Sequence, residues 1–273
     1  MQFTGQRLVT IASGLAIVLG LLAFHGCRSA PITQRTQLLL LPESQEVAMG
    51  RAAFSQMLDD EPLSTNSEYQ AVVQRIGHRI AAVANRPDYE WEFRVLASAE
   101  PNAFCLPGGK VGVYEGMIEL CNNEAELAVV VSHEVAHALQ RHGGERMSQG
   151  YLVNGMENAM RYLTQDRDAV TRDRILAAYG IASEYGVMLP YSRKHELEAD
   201  EVGLILMSQA GYDPTVAPGF WERFAQSSGP KPPEFFSTHP ADMRRAQELR
   251  AKLYEAQDLY NQAPEKFGVG EVL

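Results

Sequence analysis

Thiols, basic residues and long apolar runs are all scarce in this chain, and each shortage narrows what the protein can be. Of its three cysteines, Cys27 lies near the amino terminus, and only Cys105 and Cys121 fall in the body of the chain. Those two allow at most one disulfide, joining the segment around residue 105 to that around residue 121, or else two buried free thiols. Lysine and arginine number 24 against 34 aspartates and glutamates, for a formal net charge of -10. Such acidity argues against nucleic-acid partners and against simple electrostatic binding to anionic lipids. Apart from residues 8–24, no uncharged run reaches 18 residues, so the body of the chain is not built from membrane-spanning helices. No internal repeat is visible, and there is no room for a helical-repeat array.

The one long apolar run defines the amino-terminal segment. Leu8 to Phe24 is uncharged, follows Gln6-Arg7 and is succeeded at once by Gly26-Cys27. This is the layout of a bacterial lipoprotein signal cleaved before Cys27, with the lipid on that cysteine. Phe24 and His25 stand where such sites usually have a leucine and a small residue. A retained signal anchor and plain secretion are the other readings, and all three carry the body of the chain out of the cytoplasm. Residues 1–27 are therefore read as leader or anchor. Residues 28–42, with Pro31 and Pro42 and no clear period, are read as a tether. A single domain spans 43–263 and is large enough for a proper core, with 264–273 as a tail. Loss of Arg7 with the leader takes the formal charge from -10 to -11.

What is abundant is histidine and glutamate in one place. His133-Glu134-Val135-Ala136-His137 lies in an apolar stretch that opens at Asn123-Glu124 and is followed by Gly143-Gly144, boundary signals for a helix ending at those glycines. On a helix His133 and His137 sit one above the other and can hold one metal ion, while Glu134 reaches a water beside it. That trio suits metal-assisted peptide hydrolysis. The five-residue pattern arises by chance in about one or two chains per hundred of this composition, and the alternative is a pair of core histidines bonded to carbonyls. A catalytic zinc needs a third ligand on another element. Tyr191 to Glu201 offers His195, Glu196, Glu198 and Glu201. Glu196 and Asp200 share a helical face, so Glu196 can bind metal while Asp200 orients a ligand histidine. Glu198 lies about 200° round the helix and should face water. Taken alone, the stretch also reads as a solvated, charged helix start.

H-E-V-A-H followed by S-R-K-H-E-L-E-A-D resembles the zinc metallopeptidase family of HtpX, the C-a-a-X prenyl endopeptidases and the mitochondrial inner-membrane stress protease. Asn102 to Lys110, Arg141 to Ser148 and Ser237-Thr238-His239-Pro240 resemble further segments of that family, so the similarity spans roughly residues 45–250. The chain is most similar to exported, lipoprotein-type members without multiple membrane spans. The resemblance implies an α+β, mainly helical, zincin-like (gluzincin) domain with a small sheet or hairpin edging the cleft. It implies one Zn2+ per chain on His133, His137 and Glu196, supported by Asp200, with Glu134 as catalytic base. It also implies a site role for His239, either as a gate filling the fourth position or as a donor to the oxyanion.

Other residues carry weaker readings. Trp91 to Leu96 alternates as a strand, and Ala103 to Tyr114 reads as strand, Pro-Gly-Gly turn and strand. Such an edge, with Asn102, Ala103 and Phe104, can pair with a substrate peptide through its main chain, or it can simply pack the helix. Arg193 and Arg245 can serve the site through ion pairs or be merely structural. His142 is read as complementing a helix C-terminus, and His25 and His78 suggest no chemistry. Helices are expected over Glu43–Leu58, Tyr69–Val83, Arg172–Tyr185, Glu196–Gln209 and Asp242–Tyr260. Residues 148–190 suit either a lid or connecting helices. The expected function is that of a zinc endopeptidase of the bacterial envelope, acting on unfolded or unassembled proteins and held to the membrane by its amino terminus. The alternatives are an assembly factor or chaperone with a gated or structural zinc site, and a hydrolase of cell-wall peptides or lipid-linked substrates.

Overall fold

The computed structural model describes residues 26–184, 188–226, 235, 239 and 243–268. The apolar run 8–24 and His25 lie outside them, as do Tyr185, Ser237, Thr238, Pro240 and Asp242. In chain order the described elements are β1 (Cys27–Ser29), β2 (Thr36–Leu38), α1 (Glu43–Asp60), α2 (Ser67–Val83), β3 (Glu92–Leu96), β4 (Ala103–Leu106) and β5 (Lys110–Tyr114). They continue with α3 (Glu115–Leu120), α4 (Glu124–Leu139), α5 (His142–Leu163), α6 (Ala169–Ser183), α7 (Leu189–Gln209), α8 (Val216–Gln226) and α9 (Met243–Gln262). The fold is α+β and mainly helical, as the sequence implies.

The central helix α4 starts where Asn123 accepts a hydrogen bond from the Glu126 amide, and the Glu126 carboxylate accepts in return from the Asn122 amide. Every residue of α4 is buried, so the fold has to surround it. The sheet β3-β5-β4 and α2 pack against it on one side and α7 and α8 on another, with α9 packed on α7 and α8. Val73, Ile76 and Ile80 of α2, Val111 and Val113 of β5, Leu127 and Val131 of α4 and Val202 and Met207 of α7 form one continuous core. β3 runs parallel to β5, while β4 returns antiparallel through a turn in which Gly108 and Gly109 both have positive φ. This leaves β4 at the edge of the sheet, against α4.

Three boundaries differ from expectation, each for a physical reason. Residues 28–42 are not a free tether in this structure. Strands β1 and β2 pair antiparallel, and the turn between them, tightened by the Ala30 amide on the Arg35 carbonyl at 2.8 Å, packs on the end of α4 and the start of α5. Gly143-Gly144 does not stop a helix either. The chain turns at Arg141, a left-handed residue at φ 56°, and α5 begins at His142 and runs through both glycines. The Arg141 strain is offset by Nη2 and Nε donating to the buried Glu46 carboxylate at 2.7 and 3.1 Å. Gly144 is required there because a Cβ would overlap the same carboxylate. Within the expected tail, Phe267 bridges to Tyr212 and its ring sits 3.3 Å from the Arg79 guanidinium. Residues 148–163 and 169–183 are helical, in α5 and α6, with a turn at 164–168 between them, and α6 buries none of its residues.

Helices α4 and α7 come close together at Gly203, where a Cβ would stand 3.0 Å from the His133 nitrogen and 3.1 Å from its Cα. Gly203→Ala should gain up to about 1 kcal/mol of helix propensity but cost about 1–3 kcal/mol of overlap against backbone that has no room to yield. The expected net result is destabilisation, read as a lower urea midpoint at unchanged slope.

Candidate metal centre

One turn separates His133 from His137 on α4, and one turn separates Glu196 from Asp200 on α7, so the tight crossing faces one pair with the other. His137 Nε2 lies 3.1 Å from His133 Nε2 and 3.4 Å from Glu196 Oε1, and His133 Nε2 is 3.3 Å from Glu196 Oε2. His239 Nδ1 completes the group at 3.3 Å from His133 Nε2 and 3.2 Å from both Glu196 oxygens. One donor atom from each of these four buried residues falls within 4.8 Å of the others, an arrangement that can hold a metal ion. Glu134 is buried alongside, with Oε1 3.5 Å from His239 Nε2. The sequence-derived ligands therefore come together, with His239 joined to them.

Behind each donor stands an orienting group. His133 Nδ1 faces Asp200 Oδ1 at 3.0 Å. Arg245, itself buried, grips Asp200 with Nε and Nη2 at 2.7 and 2.8 Å and approaches Glu196 with Nη1 at 3.3 Å. Its guanidinium sits over Trp221, whose ring also meets His133 edge-on at 5.3 Å. Phe235 stacks on Trp221 and on the His239 ring, the latter at 4.3 Å, and so sets that imidazole's plane. Arg193, by contrast, is exposed.

On the far side of His137 the expectations need correcting. Glu198 does not face water. It is buried and accepts from Arg35 Nε at 2.6 Å, from Gln140 Nε2 at 3.0 Å and from Thr33. The hairpin, read from sequence as a tether, covers the helix face that the 200° argument assigned to solvent. His142 does not serve a helix C-terminus. It is the first residue of α5, fully buried, with Nδ1 2.8 Å from His137 Nδ1 and Nε2 3.1 Å from Glu198 Oε2. His195 is not at the donor cluster. It stacks on His142 at 4.3 Å and bonds Glu145 at 2.8 Å. Glu201 is half-exposed on Lys252. Cys105 and Cys121 are free thiols and form no disulfide. His78 meets Phe93 edge-on.

The electrostatics call for a cation. Glu134, Glu196 and Asp200 bury three carboxylates together, and among the described residues Arg245 is the buried guanidinium, paired with Glu196 and Asp200. Burial alone would raise Glu196, but His137, His133 and His239 outweigh it and hold it well below the usual carboxylate range. Burial likewise opposes charge on His133, yet Asp200 and Glu196 raise it to about 9. His137, with less carboxylate around it, is pushed well down by burial. Glu134 is pushed up, chiefly by burial. A cluster of neutral imidazoles and one carboxylate in such a field fits a divalent ion, because the ion replaces the protons these groups otherwise compete for.

Beside this group runs β4. Ala103 is buried, whereas the Phe104 ring packs edge-on against Phe54 and Tyr114. Asn102 accepts from the Ala103 amide through Oδ1 and from the Tyr114 amide through its carbonyl, fixing the start of the strand. Cys105 is near enough to Glu134 for that charge to add to the effect of burial in raising the thiol. The edge thus lies along the candidate base.

A family model described as Peptidase family M48 matches residues 67–253. The chain is 35% identical over 243 residues to a mitochondrial metalloendopeptidase OMA1 of Schizosaccharomyces pombe, covering 87% of this chain and 70% of that protein. It is 32% identical over 235 residues to the mitochondrial metalloendopeptidase OMA1 of Homo sapiens, 81% of this chain and 44% of that one. A beta-barrel assembly-enhancing protease of Yersinia pestis is 29% identical over 219 residues, 76% and 43% of the two lengths. The chain spans less than half of the last two proteins.

Asp200→Asn should weaken metal binding about 10–100-fold by releasing the His133 ring, measured by chelator competition. A separate outcome concerns Glu145, which burial pushes up but His195 and Arg35 hold at about 2, against an ordinary 4.5. A carboxylate depressed on folding stabilises above its unfolded value and loses that contribution as pH falls towards the folded one. The stability gap between wild type and Glu145→Gln should therefore be largest near neutral pH and shrink towards about pH 2.5, as read by urea titrations at the two pH values.

Proposed function

We propose, from the premise that this chain belongs to peptidase family M48 and is a metalloendopeptidase, that it is a zinc enzyme of the bacterial cell envelope that cleaves misfolded or unassembled proteins. The observation that carries the reading is the convergence of His133, His137 and Glu196 on one point, with Glu134 beside it and, alongside, a strand at the edge of the sheet among the described residues. The three ligands are His133, His137 and Glu196. Imidazole nitrogen with one carboxylate oxygen is a donor set that suits zinc. When bound, the ion supplies Lewis acidity to the scissile carbonyl and lowers the pKa of water.

The chain's own residues do the rest. Glu134, raised by burial towards the working range of a general base, takes a proton from the attacking water. It then returns that proton to the leaving amine nitrogen. Main-chain groups of Ala103 and Phe104 at the β4 edge pair with the substrate backbone and place the scissile bond, with Asn102 setting the strand's start. Pairing of this kind reads little sequence, which suits unfolded substrates. His239 acts as a gate. With its Nδ1 among the other donors the set is four, the number of a closed site, so the imidazole must withdraw before substrate can enter.

Export rests on the apolar run 8–24 followed by Gly26-Cys27, with a lipid on Cys27 as the anchor. Among the described residues no helix is long and apolar enough to cross a membrane. The name of the Yersinia relative supports an envelope role. The closed set around His239 also favours a second reading, in which the protein aids assembly and its zinc serves mainly the fold.

Glu134→Gln should keep its zinc and lose cleavage of an unfolded protein by about 10²–10⁴-fold, and should retain envelope proteins that wild type releases. Normal cleavage by that variant removes Glu134 from the chemistry. His239→Ala should cleave faster than wild type with zinc retained. A variant that loses cleavage instead assigns His239 to the oxyanion, and one inert alongside an inert wild type favours the assembly role.

A further inference from the structure

We propose that His142, Glu198 and Arg35 form a positioning relay that fixes the tautomer and ring orientation of His137, making the metal site depend on the amino-terminal hairpin. The proposal rests on the reading of His137 as a metal ligand and goes beyond it. The two nitrogens of His137 have different duties. Nε2 points into the donor cluster, 3.1 Å from His133 Nε2. Nδ1 points away from the cluster and meets His142 Nδ1 at 2.8 Å. Two imidazole nitrogens at that distance share one proton. A ligand binding through Nε2 keeps its lone pair there, so the proton sits on His137 Nδ1 and His142 Nδ1 accepts it. His142 then carries its own proton on Nε2, which faces Glu198 Oε2 at 3.1 Å.

Glu198 in turn has every reason to be an ionised acceptor, since Arg35 Nε donates to it at 2.6 Å and Gln140 Nε2 at 3.0 Å. The direction of each hydrogen bond is thereby set, from His137 through His142 to the carboxylate. Ligand histidines are commonly oriented by a carboxylate or carbonyl in direct contact. Here a second imidazole is interposed, and the carboxylate it reaches is secured by another part of the chain.

Arg35 holds a second line as well. Its Nη1 and Nη2 donate to Glu145 at 3.1 and 2.6 Å, and Glu145 bonds His195, which stacks on His142 at 4.3 Å and 13°. One guanidinium therefore fixes both the acceptor of the His142 proton and the ring that keeps His142 in plane. Without it His142 is free to take the other tautomer, which would set an N–H against the His137 N–H and turn that ligand. Arg35 sits in the β1–β2 hairpin, eight residues beyond Cys27, so whatever undocks the hairpin also loosens a metal ligand.

The test is a double-mutant cycle on the full chain, with Zn2+ affinity from chelator competition and the visible spectrum of the Co2+-loaded protein as readouts. Arg35→Ala and His142→Phe, which keeps a ring to stack on His195, should each weaken Zn2+ binding about 10–100-fold and alter the Co2+ bands. The double variant should be no weaker than His142→Phe alone, because both changes break one relay. Losses that multiply in the double variant, or an Arg35→Ala protein with wild-type affinity and spectrum, overturn the relay. Should Arg35→Ala fail to fold, Glu198→Gln takes its place in the cycle with the same expected non-additivity. A wild-type chain that binds no Zn2+ overturns the ligand reading itself, whereas wild-type binding matched by all the variants overturns only the relay.

Discussion

Burying a carboxylate costs several kcal/mol unless another charge or a set of donors replaces the water it leaves. Around His133 this chain buries Glu134, Glu196 and Asp200 within one group, and among the described residues Arg245 is the buried guanidinium that pairs with two of them. The rest of the architecture serves to keep that group together. Helix α4 is enclosed on every side, which excludes solvent from its histidines. Helix α7 must come close enough for Glu196 to reach between them, and Gly203 permits the approach at the level of His133. A charge deficit of this kind is what a divalent ion would fill, so the electrostatics that make the site expensive to fold would also favour positive charge there.

The same cost explains why the supporting groups are themselves charged and buried. An imidazole ligand free to rotate loses affinity, and only a fixed partner on its second nitrogen holds it. Asp200 performs that task for His133 and is held by Arg245. For His137 the partner is His142, backed by Glu198, and Glu198 can stay ionised out of water because Arg35 and Gln140 reach it. Each layer solves the solvation problem of the layer inside it. This line of groups reaches partial exposure at Arg35.

Helical spacing made half of this arrangement legible. Steps of four put His133 over His137 and Glu196 over Asp200, and no tertiary contact was needed to see either pair. The errors all concern what covers a helix rather than what lies on it. Placing Glu198 about 200° from Glu196 was sound, but the step from there to water assumed that nothing else packs on that face. The covering segment, residues 28–42, has two prolines and no period, and its strands of three residues each are too short to announce themselves. Gly143-Gly144 misled for a related reason. One of these glycines serves a close contact with Glu46 and not a helix end, and the turn falls on Arg141, whose left-handed φ nothing in its residue type foretells. Trp221 reaches His133 because α8 is folded against α4, and Phe235 meets His239 by stacking on it, contacts that no local spacing announces.

An edge strand that reads backbone has a consequence for how such an enzyme is controlled. The main-chain pairing proposed at β4 would offer similar bonds to any extended peptide, and the side chains nearest the start of the strand are an alanine in the core and a phenylalanine packed against Phe54 and Tyr114. Discrimination between folded and unfolded proteins then comes from access and not from a specificity pocket. On the proposed reading two devices regulate access and competence separately. His239 Nδ1 stands among the donor atoms and acts there as the gate. The hairpin acts from the other side, through a ligand and not through the cleft, and it lies next to the residue proposed to carry the lipid. On that proposal a lipid on Cys27 would leave little slack between the membrane and the group that orients His137, and the site would be assembled where the proposed substrates are exposed.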